Sequence, residues 1–163
     1  MRGILPQRLS RWMYRSGGPN WLARPMNALA GWQFRRGILT LGGRGVTADV
    51  RGRTSGRTIS LPLVLVRHGG ERYLVSMLGE DVQWLRNVRA DAGRAVLHAP
   101  HAEPVRLVDV PVAQRAPVLR RYVELAPGGR PHIPVRVGAP VEEFAAVADR
   151  YPVLRVEPLA ADA

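Results

Sequence analysis

Residues 51–62 read RGRTSGRTISLP and stand directly before an apolar run. The stretch combines three arginines and two glycines with small hydroxyl residues. Glycines let the backbone turn with its N–H groups toward a ligand, and guanidinium groups bind phosphate oxygens two at a time. The stretch therefore predicts a phosphate-binding loop. A solvated β-hairpin loop is the alternative that these residues alone leave open.

Strands are predicted on both sides of a second turn. Residues 58–66 are rich in Ile, Leu and Val, residues 67–70 interrupt that pattern, and residues 71–76 resume it. Two strands joined by a hairpin fit this arrangement best. Further strands are predicted at 95–99, 103–110 and 153–157.

Helices are predicted between these strands. Asp81 is expected to cap a helix whose apolar residues Val82, Leu85 and Val88 recur every three positions, and Gly93 is expected to end it. A second helix is predicted over 111–125, since proline is tolerated in a first turn. A loop is expected at 126–131 and a short helix at 140–150.

The order of these motifs resembles the deazaflavin-dependent nitroreductase and quinone reductase family. The motifs that carry the resemblance extend over about residues 46–158, and they are residues 52–57, 61–63, 73–76, 84–90 and 132–135. The resemblance implies an α+β, mainly β fold: a split β-barrel of the flavin-reductase or FMN-binding type, with flanking helices. It also implies that the barrel binds coenzyme F420 and passes hydride to quinones, nitro compounds or other conjugated electrophiles.

The resemblance assigns roles to individual residues of this chain. The cofactor phosphate would be contacted by Arg53, Thr54 and Ser55, with Arg57 nearby. The cofactor ring would be lined by Ser60, Leu61, Pro62, Leu63, Ser76, Met77 and Leu78. The site would be completed from the helix by Trp84, Arg86 and Asn87. His132 or Tyr122 is the candidate for supplying a proton to a reduced substrate.

Two positions depart from the family pattern. Ile59 stands where many relatives carry a basic residue, and only Arg57 nearby could substitute for it. Relatives that act on nitroimidazoles carry tyrosines just before the Ile-Pro pair, whereas residues 125–132 contain none. We therefore expect quinone-type acceptors to be reduced faster than nitroimidazoles.

Charge is distributed unevenly along the 163 residues. Residues 1–57 hold eleven arginines and one acid, a net charge of +10, whereas the other 106 residues hold thirteen arginines and twelve acids, a net charge of +1. An anionic partner is implied: a phosphate-bearing cofactor with an acidic tail, an anionic membrane surface or nucleic acid. Nucleic acid ranks last, because no recognisable reading motif is present. The chain has no cysteine, which suits a reducing cytoplasm.

The first 36 residues form a predicted basic helical arm, followed by a barrel domain over 37–163. Apolar residues lie on one side of the arm, and three of the four tryptophans, Trp12, Trp21 and Trp32, fall within it. Such helices bind membrane surfaces, but they also pack on a barrel or on a second copy in a homodimer. No apolar run approaches the ~20 residues that span a bilayer. We expect a cytoplasmic protein, with peripheral membrane contact through the arm as an alternative.

Residues for other kinds of catalysis are missing from the sequence. His68, His98 and His101 have no partner at metal-ligand spacing, so structural or solvent-facing roles are expected and no metal site is predicted. Hydride transfer from a bound deazaflavin needs neither metal nor nucleophile, because the cofactor carries the chemistry. The leading hypothesis is an F420-dependent oxidoreductase. The alternatives are a non-catalytic deazaflavin-binding or membrane-surface protein on the same fold, and an FMN-dependent relative.

Overall fold

A single antiparallel sheet of seven strands organises the molecule. The structure is a computed structural model that describes residues 44–98 and 101–160. The strands are β1 (Gly45–Arg51), β2 (Thr58–Val64), β3 (Val66–His68), β4 (Glu71–Val75), β5 (Arg94–His98), β6 (Ala102–Asp109) and β7 (Val153–Pro158). Their order across the sheet is β2-β1-β5-β6-β7-β4-β3. The strands predicted from residues 71, 95, 103 and 153 onward have counterparts in β4, β5, β6 and β7, and β1, which the sequence analysis did not propose, is added to them.

The sheet curls because one continuous segment supplies both of its edges. Strands β2 and β3 are consecutive in the chain, separated only by Leu65, yet β2 pairs with β1 and β3 pairs with β4. The backbone N–H of Leu65 donates to the carbonyl of Arg44 at 2.6 Å. The prediction of one strand over 58–66 was therefore wrong. Apolar periodicity shows that residues are buried but not which neighbour they pair with. The result is the mainly β split barrel with flanking helices that the resemblance implies.

In the described part of the chain, three α-helices cover the sheet: α1 (Gln83–Ala90), α2 (Val112–Leu125) and α3 (Val141–Ala145). The cap predicted for α1 was wrong, since Val82 occupies the N-cap position without a side-chain bond and the Asp81 carboxylate instead accepts from Arg86 at 2.6 Å. Gly93 does finish the turn after α1, with φ of +81° and its N–H on the carbonyl of Val88 at 2.9 Å.

The helix predicted over 140–150 is also different in the structure. It is divided into α3 and a 3₁₀ turn at Ala148–Arg150, and another 3₁₀ turn, Arg130–His132, follows α2. Phe144 and Ala148 are nevertheless buried, as the predicted apolar side requires. The apolar spacing located the buried face but not the break in the helical hydrogen bonds.

Two apolar cores lie on opposite faces of the sheet. The first core packs α1 against the inside of the barrel and includes Val46, Leu74, Leu85 and Val88. The second core packs α2 and α3 against the other face and includes residues such as Phe144. Because adjacent residues of a strand point to opposite faces, strands such as β4 and β7 contribute to both cores.

The basic arm predicted for residues 1–36 lies outside the described residues, so the division into an arm and a barrel domain stays a prediction. Within residues 44–98 and 101–160, no helix combines the length and the apolar character needed to cross a bilayer.

Candidate functional site

The Gly/Arg-rich stretch forms the turn between β1 and β2. The N–H of Gly52 donates to the carbonyl of Arg57 at 2.8 Å, and the N–H of Gly56 donates to the carbonyl of Gly52 at 2.8 Å. Gly56 has φ of +68°, a conformation that favours glycine. A Cβ atom on Gly52 would lie 2.6 Å from the Ser55 hydroxyl oxygen. Both glycines are thus required by the closed shape of residues 52–57, which we call the arginine loop.

The arginine loop presents hydrogen-bond donors that no carboxylate in residues 44–98 and 101–160 neutralises. Arg51 at its base and Arg53 and Arg57 within it are exposed, and no carboxylate of the described residues forms an ion pair with them. The backbone amides of Thr54 and Ser55 likewise donate no hydrogen bond to any described residue. Backbone amides grouped in a turn and free guanidinium groups are typical of anion-binding sites.

The arginine loop is attached to α1 through Asn87. The Asn87 Oδ1 atom accepts from the backbone N–H of Arg53 at 3.2 Å and from Arg53 Nη1 at 2.8 Å. Asn87 is only 4% exposed, and its neighbours Leu85 and Val88 lie in the first core. The two motifs whose combination suggested the family, the loop and the Trp-x-x-Asn helix, are therefore in direct contact.

A half-buried apolar surface packs on the first core, to which α1 also contributes. Leu61 and Leu63 from β2, Leu78 after β4, and Trp84 from α1 are all partly exposed and all pack on the first core. Trp84 is three residues before Asn87, so the two share one side of the helix. The structure thus brings a cationic loop and an apolar surface together around α1.

Some of the residues that the sequence analysis assigned to the ring point elsewhere. Ser60 lies on the opposite face of β2 from Leu61, where its hydroxyl donates to Asp49. The Ser76 hydroxyl donates to the carbonyl of Gly79 at 2.6 Å in a buried turn. Met77 packs on the second core. A run of consecutive residues in a strand cannot present all its side chains to one ligand.

Arg86 belongs to a set of ion-paired arginines on the exposed side of α1. It bonds to Asp81 at 2.6 Å, and Arg89 bonds to Glu80 at 2.5 Å and to Asp109 at 2.7 Å. Hydrogen bonds to Asp109 and then to Glu80 raise the pKa of Arg89 further above its usual range. The guanidinium of Arg86 is therefore already engaged by a carboxylate, unlike that of Arg53.

The two candidate proton donors lie on the side of the second core. Tyr122 is 4% exposed and belongs to that core, where a Cβ atom on Gly129 would come within 2.6 Å of its ring and its hydroxyl. His132 is half-buried in the 3₁₀ turn, and its carbonyl accepts from the Tyr151 hydroxyl at 2.7 Å. Burial raises the pKa of Tyr151. These positions favour packing roles for both candidates.

A groove that the sequence analysis missed runs over the outer face of the sheet. It encloses about 380 Å³ and is lined by residues that include Arg51 and Thr58 at the base of the arginine loop. His98 lines it too, half-buried, with Nε2 2.8 Å from Asp49 Oδ2. Asp49 and His98 are 49 positions apart, and β1 was not predicted, so no local pattern could join them.

The other two histidines that the sequence analysis singled out are at the surface. His68 and His101 are both exposed. In the part of the chain that the structure describes, no three His, Cys, Asp or Glu side chains are placed to hold a metal ion.

Comparison with known proteins gives one family and several structures of similar fold. The sequence profile of the family described as F420H(2)-dependent quinone reductase matches residues 32–146. A solved F420-H2 dependent reductase, FDR-A, is 23% identical, with a TM-score of 0.48 over 70% of this chain and 94% of that chain. A structure described as a domain-swapped dimer is 20% identical, with a TM-score of 0.50 over 85% of this chain and 98% of that chain. Among curated proteins, none matches significantly.

Proposed function

Because the chain belongs to the F420H(2)-dependent quinone reductase family, an oxidoreductase family with coenzyme F420 as cofactor, we propose that it transfers hydride between F420 and a quinone-like acceptor. Nitro compounds and other conjugated electrophiles are the broader class of acceptors that the proposal includes. The observation that carries it is the arginine loop, with its unneutralised donors, bonded to α1 beside a half-buried apolar surface.

The described residues fit a ligand that has an anionic part and a flat apolar part. In the proposal, the phosphate is held by Arg53, Thr54, Ser55 and Arg57. The apolar surface of Leu61, Leu63, Leu78 and Trp84 packs against the ring system. The side chains of Ser60, Ser76, Met77 and Arg86 have other partners in the structure. For these four, and for Pro62, we propose positioning of the neighbouring backbone in place of side-chain contact.

The protein's share of the chemistry is binding and orientation. When bound, the deazaflavin supplies or accepts the hydride. The loop fixes the anionic end by charge-assisted hydrogen bonds, and the apolar surface excludes water from one side of the ring. Holding the two reactants in a fixed arrangement lowers the entropic part of the barrier. Neither Tyr122 nor His132 is needed for these steps.

Fluorescence titration of the purified protein with F420 and with FMN, side by side, tests the cofactor. We expect a clear preference for F420. Equal or tighter binding of FMN would instead support an FMN-dependent relative.

Oxidation of the reduced cofactor, followed with a quinone and with a nitroimidazole, then tests the acceptor. We expect the quinone to react faster, since residues 125–132 contain no tyrosine. Tight cofactor binding without turnover of any acceptor would support the non-catalytic alternative.

The arm, the localisation and the oligomeric state remain predictions. Residues 1–36 are proposed either to pack on the barrel or on a second copy, or to lie on an anionic membrane surface. Removing them should leave a folded protein that no longer sediments with anionic vesicles if they bind membrane. Loss of folding would favour the packing alternative.

A further inference from the structure

Asn87 accepts two hydrogen bonds from a single residue, Arg53. Its one side-chain oxygen accepts both from the backbone N–H of Arg53, at 3.2 Å, and from the Nη1 atom of the same residue, at 2.8 Å. The two bonds close a ring between the backbone and the end of the Arg53 side chain. A long flexible side chain is thereby held in one arrangement.

The same bonds determine which edge of the guanidinium is left for a ligand. With Nη1 on Asn87, the edge formed by Nε and Nη2 has no partner among the described residues. That edge carries two parallel N–H groups, the arrangement that binds two oxygens of a phosphate or carboxylate together. Asn87 itself is 4% exposed, and its oxygen is already shared by two donors.

We infer that Asn87 is a positioning residue whose side-chain oxygen orients Arg53 for the anionic group of the cofactor. The inference rests on the proposed function, in which Arg53 holds that group. It gives the Asn87 oxygen a role other than the direct contact that the family resemblance implies. Ordering Arg53 before binding removes part of the entropic cost of binding, so the gain is in affinity.

A double-mutant cycle on F420 affinity tests this inference. Asn87→Ala alone should weaken F420 binding about five- to thirty-fold, because the Arg53 side chain loses its fixed position. In the Arg53→Ala background, Asn87→Ala should weaken binding less than about two-fold further. Gln83→Ala, which removes an exposed amide from the same helix, is the matched control and should leave affinity unchanged. Equal effects of Asn87→Ala in both backgrounds would mean that Asn87 acts independently of Arg53, and would overturn the inference.

Amide hydrogen exchange of residues 52–57 without cofactor gives a second readout. Asn87→Ala should increase exchange of the Arg53 amide, and Asn87→Asp, which keeps an acceptor oxygen in place, should retain the parent's protection. The Asp variant should still bind F420 more weakly, since its charge neutralises the guanidinium. If Asn87→Ala fails to fold, the affinity and the amide exchange of Asn87→Asp are compared with those of the parent instead.

The exchange measurement separates this inference from the proposed function. If the parent protein does not bind F420 at all, the proposed function fails, while exchange still reports on the bonds of Asn87. If Arg53 exchange is the same in the parent, Ala and Asp proteins, Asn87 does not hold the loop and the inference fails.

Discussion

Two groups of arginines meet at α1: Arg86 and Arg89 belong to the helix, whereas Arg53 and Arg57 belong to the arginine loop that is bonded to it. The groups differ in whether a carboxylate pairs with them. Arg86 and Arg89 each contact at least one acid within 2.7 Å. Arg53 and Arg57 of the arginine loop form no ion pair with a described carboxylate. The first group has its charge balanced within the fold, whereas no described carboxylate balances the charge of the second group.

This difference shows how a chain with 24 arginines can have a specific anion site. The number of cations says little, because many of them are neutralised by neighbours. A better indicator of an anion site is an arginine that has no described carboxylate as partner but is held in place by a neutral group, as Arg53 is by Asn87. Removing arginines from the two groups should therefore change different properties.

The largest effect is expected for Arg53→Ala. Loss of a charge-assisted pair of about 1.5–3 kcal/mol should weaken F420 binding about ten- to a hundred-fold. Arg86→Ala, the matched control from the paired group, should change affinity little. The measurement is fluorescence titration at low and high salt, and the Arg53 contribution should shrink at high salt because the contact is partly exposed. The comparison fails if Arg86→Ala costs as much affinity as Arg53→Ala.

A smaller effect is expected for Ser55→Ala. The hydroxyl accepts from the N–H of Arg57 at 3.2 Å, which leaves its own O–H to donate to a ligand. Losing a neutral hydrogen bond should cost about 1 kcal/mol of cofactor affinity, roughly five-fold. Thermal stability without cofactor should hardly change in this variant or in Arg53→Ala, since both residues are exposed. If both variants bind like the parent but melt several degrees lower, the loop is structural and the phosphate site is wrong.

The sequence predicted this contrast only in part. Glycine and arginine in residues 52–57 indicated a turn that binds anions, because those preferences are local. Which arginines are neutralised depends on acids far away in the chain, as Arg89 and Asp109 illustrate with a separation of 20 positions. Local spacing could not show that Arg89 is paired with Asp109 while Arg53 has no described carboxylate as partner.

The same reason explains where the fold departs from the prediction and why the residues assigned to the ring do not share one face. The strand over 58–66 changes partner at Leu65, and apolar spacing carries no information on pairing. The resemblance gave one role to Ser60 and Leu61, although the pleat directs them to opposite faces. Predicting the contact between Asp49 and His98 would have required the pairing of β1 with β5, and the sequence analysis did not propose β1.

Substitution of Arg89, an arginine of the ion-paired group, should lower the stability of the protein and leave cofactor binding unchanged. Arg89→Ala removes bonds to both Glu80 and Asp109, which connect α1 to the end of β6. All three side chains are more than a third exposed, so we expect a loss of only about 0.5–1 kcal/mol of unfolding free energy. Thermal melting should fall by roughly 1–4 °C. If Arg89→Ala loses F420 affinity without a lower melting temperature, the two groups of arginines do not differ in function as proposed.

The smallest effect is expected from acidic pH, which protonates the ion-paired carboxylate of Glu103. A hydrogen bond from Arg72, opposed in part by burial, holds the pKa of Glu103 below its ordinary value of about 4.5. A carboxylate with a lowered pKa in the folded state stabilises the protein above its unfolded pKa, and this stability is lost as pH falls through the folded value. The Glu103 side chain is 40% exposed, so its contribution to the free energy of unfolding should be only about 0.3 kcal/mol.

Urea unfolding between pH 7 and pH 3 tests this contribution. Stability should decline slightly less steeply with falling pH for Glu103→Gln than for the parent, with the exposed Glu71→Gln as control. A decline of equal steepness in all three proteins would mean that the Arg72–Glu103 pair does not contribute to stability against acid.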